Sequence, residues 1–289
     1  MTEFKTLVCA ALAIFTLGTG AYDYNRDFDP TEQDTWPVIA VIIDDIGNRR
    51  ADGERTVALP GPVACAVLPH TPFGPELAEA AYKSGKEVML HQPLQATDSN
   101  HLLGTGAIVL DQSFEEVRDT LLQNLATVPH VSGINNHMGS LLTRHPGHMR
   151  WLMHSISQYG PLFFVDSVTS GQSVAHRVAK EHGLPSLKRD VFLDSVQTRE
   201  AVAKQFDRLK QHARRHGFAV GIGHPFAETL DVLEQELPRL SGLGYRLVSI
   251  RSMIDLQIEQ AAAVKQTRVS VNNERAGQST NKTIFKESP

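Results

Sequence analysis

The chain has 289 residues, 41% of them hydrophobic and 21% charged, and a formal net charge of −4. That make-up is ordinary for a globular protein and carries no basic surplus of the kind nucleic acid selects, so no nucleic-acid partner is expected. The length accommodates a single α/β barrel.

At the start, Lys5 precedes an apolar run from Leu7 to Ala21 that ends on the small residues Thr19, Gly20 and Ala21. A charged start, a short apolar core and small residues fit a secretory signal cleaved after Ala21. The run is shorter than the roughly 20 apolar residues of a usual spanning helix. Phe4 and Tyr22 extend it enough to leave an uncleaved anchor open. Residues 1–21 are therefore read as a signal peptide or N-terminal anchor, and 22–35 as an acidic linker. The expected location is the periplasm or the extracytoplasmic face of the envelope, with membrane contact only through the first segment. Cys9 lies in this run, so Cys65 stands alone in the remainder and has no intramolecular disulfide partner.

Residues 36–256 alternate short apolar runs with amphipathic stretches. Strands are expected at Val38 to Ile43, Val63 to Leu68, Glu87 to Leu90, Val131 to Asn135 and Leu162 to Val165, then at Leu187 to Phe192, Ala219 to Ile222 and Arg246 to Ile250. Ser113 and Glu116 form a capping box ahead of Val117, Leu121, Leu122 and Leu125 on one helical face. A second helix starts at Arg199, carries Val202, Phe206 and Leu209 on one stripe, and stops at Gly217. Apolar strands alternating with helices predict a parallel sheet covered on its faces, and seven or eight strands suit a closed barrel. Residues 257–289 are polar with few large apolar side chains, which predicts a disordered tail.

Five polar clusters interrupt the apolar runs where strands should finish: Asp44-Asp45, His91, Asn135-Asn136-His137, Asp166-Ser167 and His224. Taken singly, each has a bland reading as turn former, loop cap or core histidine. Together they matter, because the carboxyl ends of parallel strands share one face and bring distant residues into one site. One Asp and two His make a three-ligand set for zinc or a similar divalent ion, with a position left for water. Neighbouring aspartates are expected to point apart, one ligating while the other serves as general base. A further histidine opposite can protonate a leaving amine. His145, His148, His212 and His216 lack strand-end placement and read as solvated.

The stretches IAVIIDDIG, AVLPHTPFGPELAEAA, GKEVMLHQPLQ, GINNHMGS, FFVDS and GIGHPFAET span nearly all of Val38 to Ile250. In that order they resemble the divergent polysaccharide deacetylases, a distant branch of the chitooligosaccharide-deacetylase superfamily. The resemblance implies an α/β fold, a distorted (β/α) barrel of about seven parallel strands in a single domain. It also implies metal-dependent removal of N-acetyl groups from a carbohydrate. Mapped onto this chain, Asp44 matches the catalytic base, Asp45 the metal-binding aspartate and His91 a metal histidine. His137 is inferred as the second histidine ligand, Asp166 as a supporting carboxylate and His224 as the general acid. The chain departs from the superfamily's pattern in four respects. QPLQ follows His91 where a second histidine is usual, the Arg-Pro-aromatic element is missing, and Gln95 and Ala227 stand where Glu and Pro are common.

The leading expectation is a zinc-type metal hydrolase acting on acetylated envelope glycan. The alternative is a non-catalytic envelope protein that binds glycan or a cell-wall partner. A metal phosphoesterase fits the ligand types but lacks a Gly-rich phosphate cradle or arginine clamp. Asn136 and Phe226 are the candidate substrate contacts, whereas Trp151 and Tyr159 read more readily as packing residues.

Overall fold

The computed structural model describes residues 35–263. Among them, nine strands form one sheet in which every pairing is parallel: β1 (Val38–Ile46), β2 (Ala64–Val67), β3 (Val88–Leu94), β4 (Val131–Met138), β5 (Phe163–Asp166), β6 (Ser186–Lys188), β7 (Val191–Phe192), β8 (Phe218–Gly223) and β9 (Arg246–Leu247). Their order is β6-β5-β4-β3-β2-β1-β8-β7, with β9 joining β1.

The sheet curls, and the chain itself shows why. β6 lies at one end of that order and β7 at the other, yet only Arg189 and Asp190 separate them. Consecutive Cα atoms are about 3.8 Å apart, so the two sheet ends must meet. Arg189 N donates to Asp166 O (2.9 Å) on one edge. On the other edge Asp190 N donates to Val220 O (2.9 Å), and Asp190 Oδ2 accepts from Val220 N (2.8 Å). The run expected as one strand, Leu187 to Phe192, is thus split between both edges. Counted as one, it closes a distorted (β/α) barrel of seven staves, as the sequence suggests.

Alternation along the strands sorts two apolar layers. Ile39, Val41 and Ile43 of β1 pack outward with the helices, while Val38, Ala40 and Ile42 fill the barrel with Met89, Phe163, Val165 and Ile222. Ala40, Ala64 and Ala66 are the small members of the same inner layer as Phe163. Gly133 is required beside that ring, since a Cβ there would stand 2.1 Å from Phe163 Cε2.

The outer helices are α1 (Arg50–Val57), α2 (Gly74–Lys83), α3 (Phe114–Thr127), α4 (Pro146–Tyr159), α5 (Ala175–Glu181), α6 (Arg199–His216) and α7 (Ala227–Glu236). The capping box at Ser113 forms, with Ser113 N donating to Glu116 Oε2 (2.7 Å). Thr198 caps α6, and Gly217 ends it at φ 84°. A last helix covers 250–263, so the stretch 257–263, expected as the start of a disordered tail, is helical, and Ile250, expected at a strand end, begins that helix. The rest of the tail, the signal segment and nearly all the linker lie outside the described residues. No described helix is long and apolar enough to cross a membrane.

Candidate metal centre

Period-two alternation aims Asp44, His91, Asn135 and His224 into the barrel mouth, because each shares the inward face with the residue two positions earlier: Ile42, Met89, Gly133 beside the Phe163 ring, and Ile222. Asp45 should face outward by the same rule. It does not, because its backbone turns into the left-handed region at φ 57°, which Asp tolerates better than most residues. The expected divergence of the two aspartates is overturned. Asp44 Oδ2 and Asp45 Oδ1 lie 3.6 Å and 3.2 Å from the same atom, His91 Nε2.

His137 completes a triad, its Nδ1 lying 2.9 Å from Asp45 Oδ1 and 3.2 Å from His91 Nε2. The ligand atoms of Asp45, His91 and His137 all lie within 4.8 Å of one another. Hydrogen bonds behind the rings fix what they present in front. Asn135 Nδ2 donates to Asp44 Oδ1 (2.7 Å), so Asn135 Oδ1 must accept from His91 Nδ1 (2.8 Å). That leaves a lone pair on His91 Nε2. His137 Nε2 faces Leu102 O at 3.4 Å, which leaves the other lone pair on Nδ1. Asp45 Oδ1 is buried and has no hydrogen-bond donor. Three lone pairs directed at one point repel unless positive charge, a proton or an ion, stands between them, and the donor set fits a divalent ion. Burial raises the Asp45 carboxyl, but the imidazoles of His137 and His91 outweigh it and keep the group ionised, far below the usual range.

The remaining groups flank the triad. Asp44 is buried, and desolvation pushes its carboxyl up despite the opposing pull of His91, His224 and Asn135. His224 Nδ1 donates to Asp194 Oδ1 (3.0 Å), while Asp194 Oδ2 accepts from His224 N (2.5 Å) and from Thr229 Oγ1 (2.9 Å). His224 Nε2 is thereby turned inward, 3.8 Å from Asp45 Oδ2. Burial lowers the His224 ring, but the Asp194 hydrogen bond and the charges of Asp44 and Asp45 raise it on balance to about 9.

Two expected site residues face elsewhere. Asp166 shares the outward face of β5 with Phe164, and its carboxylate ties the following loop by accepting from Val168 N (2.8 Å), Ser173 Oγ (2.7 Å) and His176 N (3.2 Å). Asn136 is buried, with its amide bound to Ser167 N (2.9 Å) and Met138 O (2.8 Å), so it clamps β4 to the segment after β5. Phe226, at the N-cap of α7, lies beside His224 with ring centroids 5.6 Å apart. Gln95 anchors a loop, its Oε1 accepting from Leu110 N (2.8 Å). His148, expected in solvent, packs on Trp151 with ring centroids 4.7 Å apart.

Asp194 and Asn135 are the two residues bonded to this cluster for which the sequence offers no role. Asp194 ends the apolar run VFL just as Asp44 ends its own run, and that shared pattern was the available signal.

A parallel barrel with an Asp-His-His cluster at the carboxyl ends of its strands defines a hydrolase-like metal-site architecture. The family model for divergent polysaccharide deacetylases matches residues 41–254, and the chain belongs to that family. It is 38% identical over 197 residues to the uncharacterized protein YibQ of Escherichia coli (strain K12), a match covering 68% of this chain and 61% of that one. The chain therefore spans about three-fifths of that relative's length. An uncharacterized protein of Haemophilus influenzae is 35% identical over 202 residues, covering 70% of this chain and 71% of that one. The crystal structure of uncharacterized protein ATU2773 from Agrobacterium tumefaciens C58 superposes with a TM-score of 0.72 at 22% identity, over 75% of this chain and 89% of that one. It shares the fold.

Proposed function

We propose that the protein is a metal-dependent hydrolase that removes N-acetyl groups from envelope glycan, with zinc as its ion. The observation that carries this reading is the flanking of the triad by Asp44 on one side and the His224–Asp194 pair on the other. Asp45, His91 and His137 would hold the ion. When bound, it supplies Lewis-acid polarisation of the amide carbonyl and lowers the pKa of water.

The chain's own groups supply the proton transfers. Asn135 occupies Asp44 Oδ1, which leaves Oδ2 to take a proton from the water attacking the carbonyl carbon. As the C–O bond forms and the C–N bond breaks, His224 Nε2–H protonates the departing amine, giving acetate and a free amino sugar. Asp194 holds that ring in the tautomer and charge state the transfer needs. A binding scaffold would need the ion ligands but neither Asp44 nor a carboxylate behind His224. Supporting the envelope assignment is the charged start and apolar run of residues 1–21, which fit export.

The test is acetate release from acetylated glycan by the zinc-loaded chain. Turnover in wild type that disappears in Asp44→Asn with bound zinc retained supports the reading. A fully loaded protein that releases no acetate from chitin oligomers or peptidoglycan refutes it.

A further inference from the structure

Beside the triad, at the ends of β1, β2 and β3, lies a cleft of about 190 Å³ whose lining includes Asn48, His70, Thr71, Pro93, Leu102 and Thr105. Two of its walls also back a metal ligand. Pro93 is the register partner of His137, and Leu102 supplies the carbonyl facing His137 Nε2. Asn48 follows the Asp44-Asp45 pair through the turn at Gly47. The cleft therefore lies against the strand pair and the loop that flank His137, one layer of residues from the triad. A larger trough of about 890 Å³ continues from His70 and Thr71 to Tyr159, away from Pro93 and Leu102.

His70 is built into this cleft at a cost. It is an exposed residue held at φ 57°, where side chains other than Gly are strained. One fully buried amide, Asn124, holds it and is itself fixed by a second, Gln92. Asn124 Nδ2 donates to Gln92 Oε1 and to Gly106 O, both at 2.8 Å, so Asn124 Oδ1 must be the atom that meets His70 Nε2 at 2.9 Å. His70 Nε2 is then the donor, and Nδ1 is left as an acceptor. Gln92 in turn donates to Pro93 O (3.0 Å) and Gly106 O (3.1 Å), and it directly follows the ligand His91 in sequence. Gly106 is obligatory here, since a Cβ would stand 2.1 Å from Asn124 Oδ1. Neither buried amide reaches a metal ligand by these bonds. Their common effect is to set one imidazole, in one tautomer, at the edge of a cleft.

We propose that this cleft binds the sugar residue adjoining the one whose acetyl group sits at the metal, with His70 Nδ1 accepting one of its hydroxyls. The proposal rests on the deacetylase reading. The lining suits a pyranose, which has apolar ring faces and a hydroxyl rim: Pro93 and Leu102 offer apolar surface, and Asn48, His70, Thr71 and Thr105 offer polar atoms. Leu102 is 61% exposed, an apolar surface that a ring in the cleft would cover.

The experiment is calorimetric titration of N-acetylglucosamine oligomers, one to four units long, into the zinc-loaded full chain carrying Asp44→Asn to prevent turnover. Affinity is expected to rise from monomer to dimer. Adding His70→Ala should leave monomer affinity and zinc content unchanged while cutting dimer affinity about tenfold, the loss for one well-placed hydrogen bond. Equal affinity for monomer and dimer without the His70 change overturns the subsite alone, as does an equal loss for both with it. A zinc-loaded chain that binds no oligomer overturns the glycan reading, and the subsite with it.

Discussion

Asp194 holds His224 at two points, accepting from its ring Nδ1 at 3.0 Å and from its own backbone N–H at 2.5 Å. The pairing ties stability to pH. The folded pKa of His224 lies at about 9, above the ordinary 6.5. Stabilisation by the charged ring is therefore fully present below pH 6.5 and is lost as pH rises toward 9. The gap corresponds to on the order of 3 kcal/mol. In metal-free protein, the stability difference between wild type and His224→Gln, measured by urea unfolding, should shrink across that window. A difference independent of pH would mean that the ion pair does not form.

Ligands and base should separate experimentally. His91→Ala and His137→Ala are each expected to lose bound metal, because two protein ligands rarely hold zinc. Asp44→Asn should keep the metal and reduce turnover by about 10²- to 10⁴-fold, the usual contribution of a general base. Metal content by mass spectrometry and acetate release decide it. Loss of metal in Asp44→Asn would make that residue a ligand instead.

Cys65 faces the outer core layer, and burial pushes its thiol up to about 12, with Lys86 offsetting only part of this. In a Cys9→Ser background, a disulfide reagent at pH 8 should leave the folded protein unmodified and react at once in denaturant. Rapid labelling under native conditions would show that β2 opens locally.

Inside the barrel, Gly133→Ala drives a methyl group into the Phe163 ring. Overpacking of this kind typically costs about 1–3 kcal/mol. The melting temperature should fall, and Phe163→Leu in the same chain should restore part of it. An unchanged melting temperature would place the ring elsewhere.

The barrel was legible because strands buried on both faces read as unbroken apolar runs, and because their polar ends recur on one side. Strand ends were less so. β3 and β4 continue past His91 and Asn135 to Leu94 and Met138, since the backbone ladder persists where side chains turn polar. The facing of single residues was hardest to read. Asp166 and Asn136 sit one position away from an inward-facing neighbour, and only register separates a site residue from a clamp. Asp45 escapes that logic through its left-handed backbone, and Asp194 depends on a strand split between two sheet edges. Neither feature leaves a periodic trace.

The seam at Arg189–Asp190 divides labour within the site. Asp45, His91 and His137 come from the unbroken arc β1 to β4, and His224 directly follows β8 on the other side of β1. Asp194, in contrast, arrives with the seam segment, anchored where Leu193 N meets Ile222 O at 2.8 Å. On the proposed mechanism, a breach at the seam would leave ion capture intact while releasing the proton donor from its keeper. Such a molecule would hold its metal and still be chemically silent, so metal content alone cannot certify an intact barrel.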